Sequence, residues 1–166
     1  LRKQGFQGHR RQFAPMNKVA VDPIPVGFRE LRLGSGFIPH NGPLYGRLEE
    51  GGLTIGLRIK EQHLNPAGIV HGGLLMTLAD MQLGVGSMAQ TKEWEFVPTV
   101  NMTIDFVKST PLGAFIYGKT KVIRTTRSML FSSCLLFHRG EIILRGSGIM
   151  KRSGNFREAD LERLFV

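Results

Sequence analysis

Residues 65–80 read NPAGIVHGGLLMTLAD, and they join a polar loop to an apolar helix that carries one carboxylate. Over residues 74–88 apolar side chains occupy nearly every side of the predicted helix, which is typical of a helix surrounded by protein. An unpaired buried charge would cost several kcal/mol there. Asp80 should therefore be paired, protonated or used in chemistry.

Four small or polar residues of this helix fall on one stripe. Thr77, Asp80, Gly84 and Ser87 follow one another at steps of three, four and three residues, which places them on one side of a helix. The pattern predicts that this side faces something other than the core, and it makes Thr77 and Gly84 candidate substrate contacts. The alternative is structural, since a single Asp in a helix is more often capped or solvated than catalytic.

The predicted helix start has its own signal. His71-Gly72-Gly73 carries no side-chain bulk at two successive positions, so a ligand can approach the backbone closely. The unpaired N–H groups of a helix N-terminus favour negative charge, and an oxyanion fits there. Taken alone, the triplet is explained as well by an ordinary turn from loop to helix.

The combined pattern resembles a known family. Asn65-x-x-Gly68-x-x-His71-Gly72-Gly73, followed after six residues by Asp80, is similar to the signature of hotdog-fold acyl-CoA thioesterases of the phenylacetate-degradation (PaaI-like) type. The resemblance spans about residues 36–151. Its other parts are residues 99–113, which resemble the family's next strand and turn, the segment beginning Arg127-Ser128, and the glycine-rich stretch 145–150.

This resemblance implies an α+β hotdog fold, in which an antiparallel sheet of about five to six strands wraps around one long central helix. It also implies acyl-CoA hydrolysis without a cofactor other than the coenzyme A of the substrate. The site is expected between two subunits, with Asn65 and the His-Gly-Gly loop from one, and Asp80 and Thr99 from its neighbour.

Distances along the helix favour the same assembly. Asp80 lies seven residues after Gly73, which corresponds to about 10 Å at 1.5 Å per residue. Both cannot touch one carbonyl carbon, so an Asp80 acting on an oxyanion held by Gly72 or Gly73 must come from a second copy. A two-fold dimer with antiparallel helices provides two such sites, and a tetramer made of two dimers is a further option.

Roles follow as hypotheses. Gly72 or Gly73 polarises the thioester carbonyl through its backbone N–H. Asp80 attacks the carbonyl or deprotonates a water, and the sequence does not separate the two. Asn65 orients substrate or water. His71 either donates to the leaving thiolate or only braces the loop. Thr99 positions water, or is simply a β-branched residue suited to a strand.

The remaining candidates concern substrate binding. Arg124, Arg127 and Ser128 lie near predicted strand ends, where they can contact coenzyme A phosphates, although a solvated face is the commoner use of such arginines. Trp94 either lines an acyl pocket or covers the helix end. The histidines show no metal-ligand spacing, so no metal site is expected.

Charge and composition leave few other classes. The net charge of +9 suits a polyanionic partner, either coenzyme A or nucleic acid. No recognition-helix motif or interleaving of aromatic and basic residues supports nucleic acid. The apolar runs are far shorter than the ~20 residues that span a membrane, no secretory signal is evident, and Cys134 cannot form an internal disulfide, so the expected location is the cytoplasm.

Periodicity divides the chain into a basic, flexible tail (1–25), a hotdog domain (26–152) and a short terminal helix or tail (153–166). Two candidate strands, 37–49 and 53–60, flank a hairpin turn at residues 50–52. A short helix is predicted at 26–33 and another at 157–165. After the long helix, strands at 99–107, 115–125, 129–138 and 141–150 are separated by short turns, which favours an antiparallel meander.

Three functions are compatible with this fold. Acyl-CoA hydrolysis is favoured because Asp80 and the Gly-Gly helix start occur together. A non-catalytic acyl-CoA-binding hotdog domain is the alternative. A hydroxyacyl-thioester dehydratase pairs a His with an acidic residue across its site, and the spacing of His71 and Asp80 does not resemble that pattern.

Overall fold

The computed structural model describes residues 20–33, 35–155, 157–158 and 160–166. Its strands are β1 (Arg29–Glu30), β2 (Leu44–Glu49), β3 (Gly52–Arg58), β4 (Glu93–Trp94), β5 (Thr99–Phe106), β6 (Phe115–Thr125), β7 (Met129–His138), β8 (Glu141–Lys151) and β9 (Arg157–Glu158). Its α-helices are α1 (Phe37–His40) and α2 (Gly72–Thr91), and 3₁₀ turns occupy Glu61–His63 and Leu161–Leu164.

Helix α2 is the central element. It begins after His71, whose side chain caps the helix, and it ends at Lys92, which adopts a left-handed conformation with φ 61°. One side of α2 packs on the inner face of a seven-stranded antiparallel sheet. The core between them is built from buried aliphatic side chains, chiefly Leu75, Leu78, Ala79 and Leu83 of the helix with Ile55, Ile116, Leu136 and Leu144 of the sheet. The predicted hotdog fold, one long helix on an antiparallel sheet, is confirmed.

The strand order is β1-β2-β3-β6-β7-β8-β5. The predicted meander is wrong in one respect, because β5 pairs with β8 at the sheet edge while β6 pairs with β3. The turn around Pro111 does not form a hairpin, since this segment bonds to the loop before α2: Val70 N–H donates to Thr110 C=O at 3.0 Å, and Ile69 bridges to Pro111. The segment held by these contacts connects β5, at the edge of the sheet, to β6, which lies between β3 and β7.

Three shorter predictions also differ from the structure. The helix predicted at 26–33 is absent, because the backbone there extends into β1 and pairs with β2. The strand predicted from residue 37 begins only at Leu44, after α1. The C-terminal helix predicted at 157–165 is a short strand followed by a 3₁₀ turn. The two-residue β1 raises the strand number of the main sheet above the predicted five or six.

The N-terminal segment already contacts the sheet before residue 26. Asp22 accepts hydrogen bonds from Phe115 N–H at 3.1 Å, from Arg139 Nη2 at 2.7 Å, and is 2.9 Å from His138 Nε2. Burial alone would raise the pKa of Asp22, but these partners hold it below its usual value. The described part of the predicted tail is therefore fixed to the domain, and residues 1–19 of that tail lie outside the described residues.

A buried ion-pair network lies beyond the C-terminal end of α2. Arg152 donates to Glu95 at 2.6 Å and to Glu93 at 2.7 Å, while Glu95 accepts from Ser153 N–H at 2.7 Å and Gly154 N–H at 3.0 Å. It joins the segment after α2 to the chain that follows β8. Among the described helices, none is both long and apolar enough to cross a membrane.

Candidate active site

The loop that precedes α2 fixes the orientation of His71. Its Nδ1 accepts the N–H of Gly73 at 2.9 Å, which makes His71 the N-cap of the helix. A neutral ring that accepts at Nδ1 carries its proton on Nε2. The exposed side chain can therefore donate a hydrogen bond through Nε2, so bracing the helix and donating a hydrogen bond to a ligand are compatible roles.

The same contact separates the two glycines. Gly73 N–H is engaged by His71, whereas the N–H of Gly72 donates to no other described residue. The Phe106 ring lies over Gly72, since a Cβ built there would be 3.2 Å from Phe106 Cζ. Of the two predicted oxyanion donors, Gly72 is thus the one with an available N–H, and the neighbouring ring favours glycine there.

Asn65 shapes the loop with its side-chain oxygen. Its Oδ1 accepts from Ala67 N–H at 2.9 Å and from Ile69 N–H at 3.4 Å, while its backbone N–H donates to Ile69 C=O at 2.8 Å. This leaves the two side-chain N–H donors of Asn65 without a partner in the described chain. The amide can therefore hold the loop and still offer a hydrogen bond to a ligand.

Asp80 meets its predicted companion within one chain. Thr99 Oγ1 donates to Asp80 Oδ1 at 2.6 Å, which joins the middle of α2 to the first residue of β5. No hydrogen bond from a described residue reaches Oδ2 of Asp80. The carboxylate is half-buried, so it has one fixed oxygen and one that is available to a ligand.

The polar stripe of α2 is an open face in the single chain. Met76 is 40% exposed, Gly73 is exposed, and Thr77, Asp80 and Gly84 are half-buried. The prediction that protein surrounds α2 on every side is therefore wrong for one chain. Ser87, also predicted on the stripe, is fully buried, and its Oγ has no hydrogen-bond partner among the described residues.

The predicted substrate contacts lie in three places. Thr77 and Gly84 are on the open face, where Thr77 Oγ1 donates to Gly73 C=O at 3.0 Å and a Cβ on Gly84 would meet only Val97, at 3.9 Å. Trp94 lines a cleft of about 670 Å³ near the C-terminal end of α2, together with Met88 and Phe96.

Arg124, Arg127 and Ser128 lie together at the end of β6 and in the turn to β7. Their side chains are exposed, and no described residue forms an ion pair with either arginine. The described residues contain no cluster of three or more His, Cys, Asp or Glu side chains that could hold a metal.

Sequence reasoning passed over His63, which is buried directly before the Asn65 loop. The absence of metal-ligand spacing around the histidines gives the sequence no reason to single it out. The sequence did offer one indication of a role: His63 lies two residues before Asn65, where the motif of residues 65–80 begins.

Comparison with known proteins fits this geometry. The family model described as the thioesterase superfamily matches residues 67–143, which include His71, Asp80 and Thr99. A Pseudomonas aeruginosa protein described as "Putative esterase PA0474" is 34% identical over 128 residues, covering 76% of this chain and 95% of that protein. The chain belongs to the thioesterase superfamily. As predicted, it is a thioester hydrolase.

Two further likenesses refine the placement of this thioesterase. Human "Acyl-coenzyme A thioesterase 13" is 29% identical over 94 residues, covering 54% of this chain and 65% of that protein. The solved structure of a mutant of the phenylacetic acid degradation protein PaaI from Thermus thermophilus superposes with a TM-score of 0.61 at 19% identity, covering 69% of this chain and 96% of that one. The second likeness bears on the fold alone.

Proposed function

We propose that this thioesterase hydrolyses acyl-CoA to a free acid and coenzyme A. The observation that carries the proposal is the Asp80 carboxylate, on the same helix face as the open N-terminus. Thr99 Oγ1 donates to one of its oxygens at 2.6 Å, and no described residue donates to the other. The substrate class is supported by the name of the human relative, and the exposed Arg124 and Arg127 suit the phosphates of coenzyme A.

The active unit in this proposal is a dimer. Two surfaces of the single chain are open beside each other: the face of α2 around Met76, and the edge strand β5, where Val100 is 58% and Phe106 55% exposed. An unpaired strand edge and exposed apolar side chains favour a protein partner. A second copy with its α2 antiparallel would cover both, and it would bring Asp80 of the partner subunit towards Gly72.

The proposed chemistry follows from the free hydrogen-bonding groups. The N–H of Gly72 donates a hydrogen bond to the carbonyl oxygen and stabilises the negative charge that develops on it. Asp80 of the partner subunit either attacks the carbonyl carbon or removes a proton from the attacking water. The C–S bond then breaks, and His71 Nε2–H stabilises the leaving thiolate by donating a hydrogen bond to it. When water attacks, the proton taken up by Asp80 of the partner subunit passes to the thiolate. When that Asp80 itself attacks, a water hydrolyses the resulting mixed anhydride, which releases the acid, restores the carboxylate and supplies the proton for the thiol. Asn65 Nδ2 orients substrate or water.

The acyl group would extend away from this centre along α2. If Gly72 lies opposite Asp80 of the partner subunit, the next residue of that helix on the open face is Gly84, which has no side chain to obstruct the acyl group. Beyond it is the cleft of Trp94, Met88 and Phe96. The cleft presents the rings of Trp94 and Phe96 beside polar residues, and these rings suit an aryl or medium-chain acyl group.

A substrate panel tests the proposal. Free-thiol release is measured with aryl, short-chain and medium-chain acyl-CoA for the wild type and Asp80→Asn. We expect turnover of at least one thioester by the wild type and loss of that turnover in the variant. Tight binding of acyl-CoA without turnover by the wild type would instead favour the non-catalytic binding domain.

Complementation tests the composite site. Asp80→Asn and Gly72→Pro, which removes the N–H, are each expected to be inactive as pure dimers. After random subunit exchange, half of the dimers are mixed and each mixed dimer has one complete site, so about a quarter of the wild-type rate should return. No recovery despite proven exchange would show that each site uses one chain alone.

A further inference from the structure

His63 is buried beside the catalytic loop. It ends the 3₁₀ turn Glu61–His63 and is 2% exposed, although its ring contains two polar nitrogens. The proposed hydrolysis gives His63 no chemical role.

Three hydrogen bonds tie His63 to its own turn and to the helix start. Its Nδ1 accepts Lys60 N–H at 3.0 Å, and its backbone N–H donates to Lys60 C=O at 3.0 Å. Its carbonyl oxygen accepts the N–H of His71 at 2.8 Å. The ring therefore locks the turn, and the turn's last carbonyl fixes the residue that caps α2.

The protonation state agrees with this role. Because Nδ1 accepts a backbone N–H, the proton of the neutral ring is on Nε2, which makes no hydrogen bond of ordinary geometry with the described residues. Burial and the nearby Lys60 charge lower the pKa of His63, with the Asn41 backbone acting in the opposite direction, so the ring is neutral near pH 7. The connection of His63 to the helix start runs through Nδ1, which accepts Lys60 N–H, and through the carbonyl oxygen, which accepts His71 N–H.

We infer that His63 is a positioning residue for thioester hydrolysis: by locking the turn it holds the backbone of His71, and so it sets the direction of the Gly72 N–H. This inference rests on the proposed function, in which that N–H stabilises the oxyanion. A small displacement of a preorganised donor lowers the rate of the chemical step more than it lowers substrate binding.

Two substitutions separate positioning from packing. His63→Phe keeps an aromatic ring but removes the acceptor, whereas Asn in His63→Asn has an oxygen close to the position of Nδ1. We expect His63→Phe to lower kcat at least about tenfold with KM changed less than about threefold, and His63→Asn to recover most of that kcat. His40→Phe is the control, because His40 is exposed and its ring forms no hydrogen bond with a described residue.

Amide hydrogen exchange gives a second readout that needs no turnover. The His71 amide should exchange faster in His63→Phe than in the wild type or His63→Asn, since its acceptor carbonyl is no longer fixed. Unchanged kcat and exchange in His63→Phe would overturn the inference, as would equal kcat losses in both variants that follow their losses of thermal stability. An inactive wild type would overturn the proposed function instead, and exchange would still decide whether His63 positions His71.

Discussion

Asp80 and Gln82 are two polar side chains on opposite sides of α2, and they differ in burial and in the number of hydrogen bonds that they form. Gln82 is fully buried between β3 and β6, where it accepts from Ile55 N–H at 2.8 Å and donates to Leu53 C=O at 2.8 Å and to Thr120 Oγ1 at 2.7 Å. Asp80 is half-buried and has one partner, Thr99.

The difference indicates what each side chain is for. The pairing of β3 with β6 ends at Ile55, and beyond it the backbone groups of β3 need other partners. The Gln82 amide is that partner, so its hydrogen bonds are all made within the chain. One carboxylate oxygen of Asp80 accepts no hydrogen bond from a described residue, and Asp80 lies on a face of α2 that the described residues leave open. We therefore expect substitutions on the Gln82 side to change stability, and substitutions on the Asp80 side to change activity or assembly.

The largest effect is expected for Asp80→Asn. Loss of the nucleophile or base should lower kcat by about a thousandfold, or about 4 kcal/mol of transition-state stabilisation. The melting temperature should change little, because the Asn oxygen can still accept from Thr99. Asp160→Asn is the matched control, since Asp160 is an exposed carboxylate away from β5 that pairs with Arg163 at 2.8 Å. A normal rate in Asp80→Asn would break the comparison.

Met76→Glu should come next. Pairing Gly72 with position 80 of an antiparallel helix places position 76 near the two-fold axis, so the substitution puts two like charges close together. We expect the dimer dissociation constant, measured by light scattering or sedimentation, to rise about a hundredfold, and activity to depend on concentration. Ile123→Glu, at an exposed position of β6, should remain dimeric. Equal dissociation of both variants would argue against this interface.

Gln82→Met tests the buried side of α2. The variant leaves Ile55 N–H and Leu53 C=O unpaired, and it should lower the free energy of unfolding by about 2–4 kcal/mol in urea titration. At low temperature its kcat should stay within about threefold of the wild type. Gln62→Met, at an exposed position, should change stability by no more than about 0.5 kcal/mol. A Gln82 variant with full stability and a low kcat would reverse the assignment.

Thr99→Val should have the smallest effect of the four. It removes the hydroxyl that orients Asp80, and a hydrogen bond to a charged group contributes about 1.5–3 kcal/mol. Because the carboxylate itself remains, we expect the rate to fall about tenfold. Thr54→Val is the control and should be fully active, because Thr54 on β3 donates its hydroxyl to Glu49 at 3.2 Å, outside the site. Equal rates in the two variants would remove Thr99 from the site.

Local pattern was sufficient to predict most of the strands. The limits of β6 and β7 agree with the prediction, because alternation and turn residues mark both ends of each strand. The edge position of β5 was missed, since it depends on contacts between the turn at Pro111 and the loop before α2, which are distant in sequence. The same reason explains why the extended β1 was predicted as a helix.

The candidate site was predicted as a set of residues, but not with their hydrogen-bond partners. The resemblance placed Asp80 and Thr99 on one subunit, and they are in contact. It did not separate Gly72 from Gly73, because that distinction depends on which N–H His71 engages. His63 was overlooked since burial of a single loop histidine leaves no periodic signal.

The contacts of Asp22 have a practical consequence for anyone who expresses this chain. One carboxylate connects the N-terminal segment to the start of β6 and to the turn between β7 and β8. A shortened version beginning at residue 26, where periodicity alone would place the domain boundary, would leave His138 and Arg139 without their acceptor. Truncations and affinity tags should therefore be designed upstream of residue 20, so that Asp22 keeps its contacts with β6 and with the turn between β7 and β8.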